Sequence, residues 1–224
     1  MQSTLGASAT AAATIFVPVT VLLFFLSPVA GRLNDRYGPR WLMCGGPLIA
    51  AAGLVVAAFT GQGQVWTLLV PGIVLFGVGL GFTVAPVTAT AIGAAEERYS
   101  GIASGFNNAV SRIAGMLAIA IMGVVVVQLW QGALVAAGQD ATAEVRSALE
   151  SVYTQAFVIP GTEGLDQPQA EETERLSRQA ASDAFRNGML LAALLVALGG
   201  VVSAVAVRDH RRGEGRAEDA ITPS

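Results

Sequence analysis

Gly31-Arg32-Leu33-Asn34-Asp35-Arg36-Tyr37-Gly38-Pro39-Arg40 joins two long apolar stretches, about Ala9 to Ala30 before it and about Trp41 to Thr60 after it. A helix of about 20 residues crosses a hydrocarbon core of roughly 30 Å, so each stretch is long enough to span a bilayer. The decapeptide between them reads as a tight reversal at a membrane surface. Gly31 allows close approach, and Gly38 can hold a positive φ. Pro39 suits the start of the next helix, where its missing N–H is not needed. Asp35 can bond to free N–H groups at a helix N-terminus. Arg32, Arg36 and Arg40 hold the turn at the anionic surface. Taken from the residues alone, this is a structural topology anchor.

Three further stretches of spanning length follow, at about Val65 to Ile92, Gly105 to Trp130 and Ala184 to Val207. The third span is long enough to need tilt or kinks, which Pro71 and Pro86 can supply. The expected fold is therefore an all-α integral membrane protein with five transmembrane helices over residues 1–207 and a polar tail over 208–224. Composition agrees: 53% of the 224 residues are apolar, 13% are charged and the mean hydropathy is +0.59, about half the charge density of soluble domains. The net charge of −3, with no basic stripe, argues against nucleic acid as a partner. Cys44 and His210 each stand alone in their residue type, and no cluster of metal ligands, cofactor motif or activated nucleophile supports an enzyme. The first thirty residues lack the basic region and cleavage site of a secretory signal.

Orientation follows from arginine, since the sequence has no lysine. Arg32, Arg36, Arg40, Arg98, Arg208, Arg211, Arg212 and Arg216 fall on one side of a five-span chain, mostly in short connections. Short-loop arginine marks the cytoplasmic side, which predicts an outside N-terminus and a cytoplasmic C-terminus. The long polar segment 131–183 falls outside. It carries nine acids against three arginines; as a solvated cap or as a gatherer of cations, both readings are open. Two stretches in it have helical character. Thr142 to Phe157 places Ala143, Arg146, Leu149 and Tyr153 on one side, and Gln169 to Ala184 can run straight into the fifth span. Pro160, Gly161, Gly164 and Pro168 separate the two.

Arg112 is the one charge well inside a span, about two turns into the fourth, with Asn108 four residues earlier on the same face and Asn107 beside it. A membrane-embedded arginine needs a cavity, a polar partner or the headgroups. The three residues either line a substrate path or pin this helix to its neighbours. The glycines Gly77, Gly79 and Gly81 lack the strand and spacing of a nucleotide loop, so they read as packing positions, as do Gly101 and Gly105.

The Gly31–Arg40 decapeptide resembles the Gly-x-Leu-x-Asp-Arg-x-Gly-x-Arg loop of the major facilitator superfamily, with Gly31, Leu33, Asp35, Arg36, Gly38 and Arg40 in matching places. Gly101-Ile102-Ala103-Ser104-Gly105-Phe106-Asn107-Asn108-Ala109-Val110-Ser111-Arg112-Ile113-Ala114-Gly115 resembles a segment of its drug:proton antiporters with fourteen spans. The stretch from Phe76 to Pro86 resembles the helix preceding that segment. The resemblance implies the last five spans of such a transporter, a partial C-terminal half lacking the helices that usually carry proton-coupling carboxylates. The five stretches themselves contain no Asp or Glu. It further implies a multi-pass plasma-membrane protein that exports small lipophilic or cationic molecules against protons. The Gly31–Arg40 loop would gate the cytoplasmic side against a missing N-terminal half. The alternatives are a membrane structural or partner subunit and an inactive remnant.

Overall fold

The computed structural model describes residues 17–61, 64–93, 97–155, 157–158, 160–162 and 164–206. It is helical throughout: α1 (Val17–Tyr37), α2 (Pro39–Ala58), α3 (Val70–Gly93), α4 (Ser100–Ala137), the short α5 (Ala143–Glu150) and α6 (Gln167–Ala206). A π-helical turn, Val65–Leu69, leads into α3, and a 3₁₀ turn, Glu97–Tyr99, leads into α4. Among the described residues four helices are long and apolar enough to cross a membrane: Pro39–Ala58, Thr67–Thr88, Ser100–Ala137 and Gln167–Val205. The first expected span begins in residues outside the described ones. So do Gln62 and Gly63 of the second connection, Ala94 to Glu96 of the third, and the tail from residue 207 on.

The charged reversal is much shorter than expected. α1 continues through Arg32, Asp35 and Arg36 to Tyr37, and Gly38 alone interrupts the helices. Arg, Leu, Asn, Asp and Tyr all tolerate a helix, so nothing before Gly38 forces it to end. Gly38 takes φ +83°, its N–H still bonds back to the Asn34 carbonyl at 2.9 Å, and Pro39 opens α2. Only glycine adopts that backbone without strain, and only the first turn accepts the proline.

α2 packs against α3 and α6, and α1 packs against α3. Small residues set the closeness. On α2, Gly46 and Gly53 lie two turns apart, as do Gly72 and Gly79 on α3. A methyl at Gly72 would sit 2.8 Å from both the Ala57 nitrogen and the Gly53 carbonyl oxygen. One at Gly46 would sit 2.9 Å from the Gly79 oxygen, and one at Gly53 2.6 Å from the Gly72 oxygen. The two backbones therefore touch, which lipid-embedded helices use to gain dispersion where no hydrophobic effect draws them together. The glycine triplet divides its work. Gly79 faces Ala50 of α2, whereas Gly77 and Gly81, one turn apart, face Val19 and Leu26 of α1. Packing is thus the role these three play.

The bundle has two distinct ends. At one, Arg40 donates from Nε to the Ala204 carbonyl of α6 at 3.1 Å, so the Gly38 turn and the C-terminal end of α6 lie together. At the other, Ala57, Leu69 and Ile73 form a small core that Phe185 of α6 packs against.

α4 and α6, with 38 and 40 residues, are about 57 and 60 Å long, roughly twice the hydrocarbon thickness. Their excess builds a cap with its own core: Trp130 and Leu134 of α4, Val145 and Leu149 of α5, Val152, and Leu176, Ala180, Ala181 and Ala184 of α6. Trp130 is fully buried, donates from Nε1 to the Val152 carbonyl at 3.2 Å, and meets the Phe157 ring at 5.6 Å. The polar segment holds helices where its two stretches of helical character lie, Ala143–Glu150 and the start of Gln167–Ala206. The inward face of α5 and the turn after it is Val145, Leu149 and Val152, while Ala143 and Arg146 are exposed. Valine wins that face because burying arginine there would leave a charge in an apolar core.

Arg146 instead reaches the end of α4, donating from Nε to Gly138 at 3.3 Å and from NH2 to Gln139 and Ala141 at 3.1 and 3.3 Å. These carbonyls belong to the turn that follows α4, and a cation suits the negative end of the helix dipole. The α6 start carries a reciprocal cap: Asp166 Oδ1 accepts from the Gln169 N–H at 3.2 Å, and Gln169 Oε1 accepts from the Asp166 N–H at 3.4 Å. As the sequence allows, Gln169 to Ala184 runs unbroken into the last span.

Candidate transport face and gate loop

Half of the apolar window of α2 is buried within the chain, against 6% of that of α4. From Gly101 to Ile121 only Ala103 and Asn107 are partly covered, on the edge that meets α3. Everything else along those six turns faces away from the rest of the chain.

Two stripes run along that exposed length. Gly101, Ser104, Gly105, Asn108, Ser111, Arg112 and Gly115 recur at helical spacing on one side. Ile102, Phe106, Val110, Ile113 and Leu117 recur on the opposite side and are 48% to 71% exposed. The apolar stripe suits acyl chains; the small and polar stripe does not. A charge at the centre of a spanning helix costs about 3 kcal/mol or more when nothing compensates it. Arg112 makes no hydrogen bond or ion pair among the described residues. It lies more than three turns into α4, which begins at Ser100.

Asn108 and Arg112 do share a face, as their spacing predicts, while Asn107 is partly covered. Gly101 and Gly105 differ from the expectation: added methyls there, and at Gly115, would meet nothing within 4 Å. Their packing role finds no partner among the described residues.

In the gate loop, Leu33 is half-buried, Asp35 and Arg36 are exposed on the last turn of α1, and Gly38 is buried. Arg36 lies 5.4 Å over the Tyr37 ring, and Arg32 donates to the Pro28 carbonyl at 3.3 Å. Gly31 has no atom within 4 Å of a built methyl, so its expected close approach is not made within the described chain. Sequence reasoning misses the tie from Arg40 to α6, because nothing in the local sequence says which helix end lies 164 residues away in the chain.

Four membrane-length helices, two of them sharing a backbone-close seam, define a polytopic helical membrane protein. The sequence matches the Major Facilitator Superfamily over residues 1–208, and the chain belongs to that family. Its members are carriers that move solutes without covalent chemistry, so the chain is not an enzyme. It is 28% identical over 154 residues to a probable actinorhodin transporter of Streptomyces coelicolor, covering 66% of this chain and 26% of that protein. It is 25% identical over 123 residues to multidrug resistance protein Stp of Mycobacterium tuberculosis, covering 55% of this chain and 23% of that protein. Over 54 residues it is 41% identical to the lincomycin resistance protein LmrB of Bacillus subtilis, covering 24% of this chain and 11% of that protein. The matched regions span about a quarter or less of these relatives' lengths.

Proposed function

We propose that the chain forms the C-terminal helical portion of a proton-coupled exporter of small lipophilic or cationic molecules, from the fourteen-span drug:proton antiporter branch. The observation that carries this reading is the polar face of α4, which the rest of the chain leaves uncovered. A helix in lipid keeps such a face only toward a water-filled path or another helix. The relatives' names, which speak of multidrug and lincomycin resistance and of an actinorhodin transporter, favour export. Alternating access requires two bodies rocking about a central site, so an N-terminal half supplies the opposing body and the coupling carboxylates.

In this reading the chain has five spans in a plasma membrane, with its N-terminus outside and its C-terminus in the cytoplasm. Residues 131–183 cap the outer end. Gly31, Leu33, Asp35, Arg36, Gly38 and Arg40 form the cytoplasmic gate loop, and Asn107, Asn108 and Arg112 border the substrate path. Close packing of α1, α2, α3 and α6 supports a body that moves as a unit.

Proton-gradient-driven efflux of a fluorescent lipophilic cation from vesicles tests the proposal. The chain alone is expected to be silent, and the chain supplied with the N-terminal helices of its transporter is expected to export. Silence from both, with protein shown to be inserted and intact, would favour a structural subunit or an inactive remnant. Reporters fused after Gly161 and Arg216 are expected on opposite sides of the membrane; the same side for both would sink the five-span topology.

A further inference from the structure

Resting on the proposed gate role of the Gly31–Arg40 loop, we infer that the loop-side ends of α1, α2, α3 and α6 turn as one block on a hinge level that the four helices share. The level is formed by residues 24–28, 43–47, 82–86 and 199–200.

Its chemistry starts with proline. Three helices carry one well inside their length: Pro28 in α1, Pro47 in α2 and Pro86 in α3. Proline has no N–H, so the carbonyls four residues earlier, of Phe24, Met43 and Phe82, lose their helical donors. Helices bend where that ladder is broken. The apolar part of α6 has no proline but places Gly199 and Gly200 side by side, a pair whose backbone is free of side-chain restraint.

Shared depth makes the four sites one device. A methyl on Gly46 would overlap Thr83 Oγ1 and lie 3.0 Å from the Thr83 nitrogen, so the broken turns of α2 and α3 face each other. One on Gly81, beside Phe82, would lie 3.0 Å from Leu26 Cβ, within the broken turn of α1. One on Gly200 would lie 2.9 Å from Pro47 Cβ and 3.2 Å from the Cys44 carbonyl oxygen, which brings α6 to the same level. Packed helices bending at different depths would drive straight segments into one another, and close-packed interiors hardly compress. Bends at one depth avoid that clash, so the four neighbours can turn together on a few residues each.

Each side of the level is braced. On the loop side, the Gly38 turn joins α1 to α2, the bond from Arg40 Nε to the Ala204 carbonyl joins α2 to α6, and Thr90 donates to Met43 Sδ at 3.7 Å, joining α3 to α2. On the other side, Gly53 and Gly72 hold the α2–α3 seam, and the core of Ala57, Leu69 and Ile73 receives Phe185 of α6. Rotation concentrates at the weak level between two braced blocks. The loop-side block carries Leu33, Asp35, Arg36 and Gly38, so turning it moves the gate loop while the remaining body rocks as a unit.

The test places pairs of genetically encoded spin labels at exposed positions of the chain, in its assembled transporter in lipid. The pair at Tyr37 and Phe59 crosses the level. The pair at Tyr37 and Val205 lies in the loop-side block, and the pair at Phe59 and Leu194 lies in the remaining body. Measured with and without a lipophilic cation, the crossing pair is expected to show two distance populations and each of the others one. Pro28 is exposed, so Pro28→Ala restores a helical donor with little loss of packing and should remove most of the second population. Pro47→Ala should do the same, while Pro71→Ala, in the first turn of α3, should leave both populations in place. One crossing population in both conditions, a loop-side pair that splits as widely, or a second population indifferent to Pro28→Ala or Pro47→Ala would each overturn the inference. Equal loss on Pro71→Ala would do so too. The distances are read without transport: two populations in a transporter that exports nothing would remove the export reading and leave the hinge, and efflux with a single crossing population would do the reverse.

Discussion

The α2–α3 seam and the open face of α4 use the same material, glycines at helical spacing on apolar helices, and end in opposite states. At the seam, Gly46, Gly53, Gly72 and Gly79 bring two backbones into contact. On α4, Gly101, Gly105 and Gly115 face empty space. The difference lies in what accompanies the glycines. The seam pairs them with alanine, Ala50 and Ala57 on α2, and every position is filled by the neighbouring helix. The α4 stripe interleaves them with Ser104, Asn108, Ser111 and Arg112, groups that two packed apolar helices have no means of satisfying. Glycine spacing shows that a face can be approached closely; the polar residues beside it show what kind of body approaches.

The largest effects should break the seam. Gly79→Leu forces a branched side chain into the Ala50 backbone and should abolish the folded bundle. Gly79→Ala should still cost about 1–3 kcal/mol, read by denaturant unfolding in bicelles. Near-native stability for Gly79→Leu would mean that α2 and α3 are not in backbone contact.

Trp130→Ala comes next. It empties the centre of the cap and should cost about 3–5 kcal/mol there, exposing residues 131–183 to protease while the α2–α3 seam stays resistant. Loss of both together would show that cap and bundle are one cooperative unit. Arg146→Gln should cost the cap about 1 kcal/mol by freeing the carbonyls of the turn after α4.

Smaller still is a pH effect at Tyr153. Burial, then the nearby Glu150 charge, raise its phenol above the usual 10.0, and Arg146 opposes them. A raised value in the folded state means the stabilisation is present below about pH 10 and lost as pH climbs through the folded pKa. Glu150→Gln should move the phenol's ultraviolet titration downward; an upward move would contradict the placement.

The smallest expected effect sharpens the comparison. Gly115→Ala should stabilise the chain alone by about 0.5–1 kcal/mol, the helix-propensity gain with no clash, since the methyl meets nothing.

Much of this architecture is legible in the amino-acid sequence. Apolar stretches mark spans because lipid demands them, and Gly38-Pro39 marks a turn because few residues take positive φ or open a helix without an N–H. The fusion of 169–184 with the last span is legible from its unbroken helical composition. Helix ends are not. Hydropathy reports where the membrane stops, and a helix continues beyond it whenever the residues allow, as α1 does through Arg36 and α4 through Ala137. The cap's inward face escapes sequence reasoning because Ala143, Arg146, Leu149 and Tyr153 fit helical spacing as well as Val145, Leu149 and Val152 do. Only the burial of the second set, and the capping task of Arg146, tells them apart. For the site, the Asn108–Arg112 pairing on one face is readable from a spacing of four, whereas the open state of Gly101 and Gly105 depends on bodies that no local pattern names.

The most direct test of the account is a spin-label scan of α4, residues 101 to 121, in the assembled transporter, reading accessibility to lipid-dissolved oxygen. The account predicts a 3.6-residue period, with maxima at Phe106, Ile113 and Leu117 and minima at Ser104, Asn108, Ser111 and Gly115. A profile with no period, or one with the polar stripe at its maxima, would contradict it.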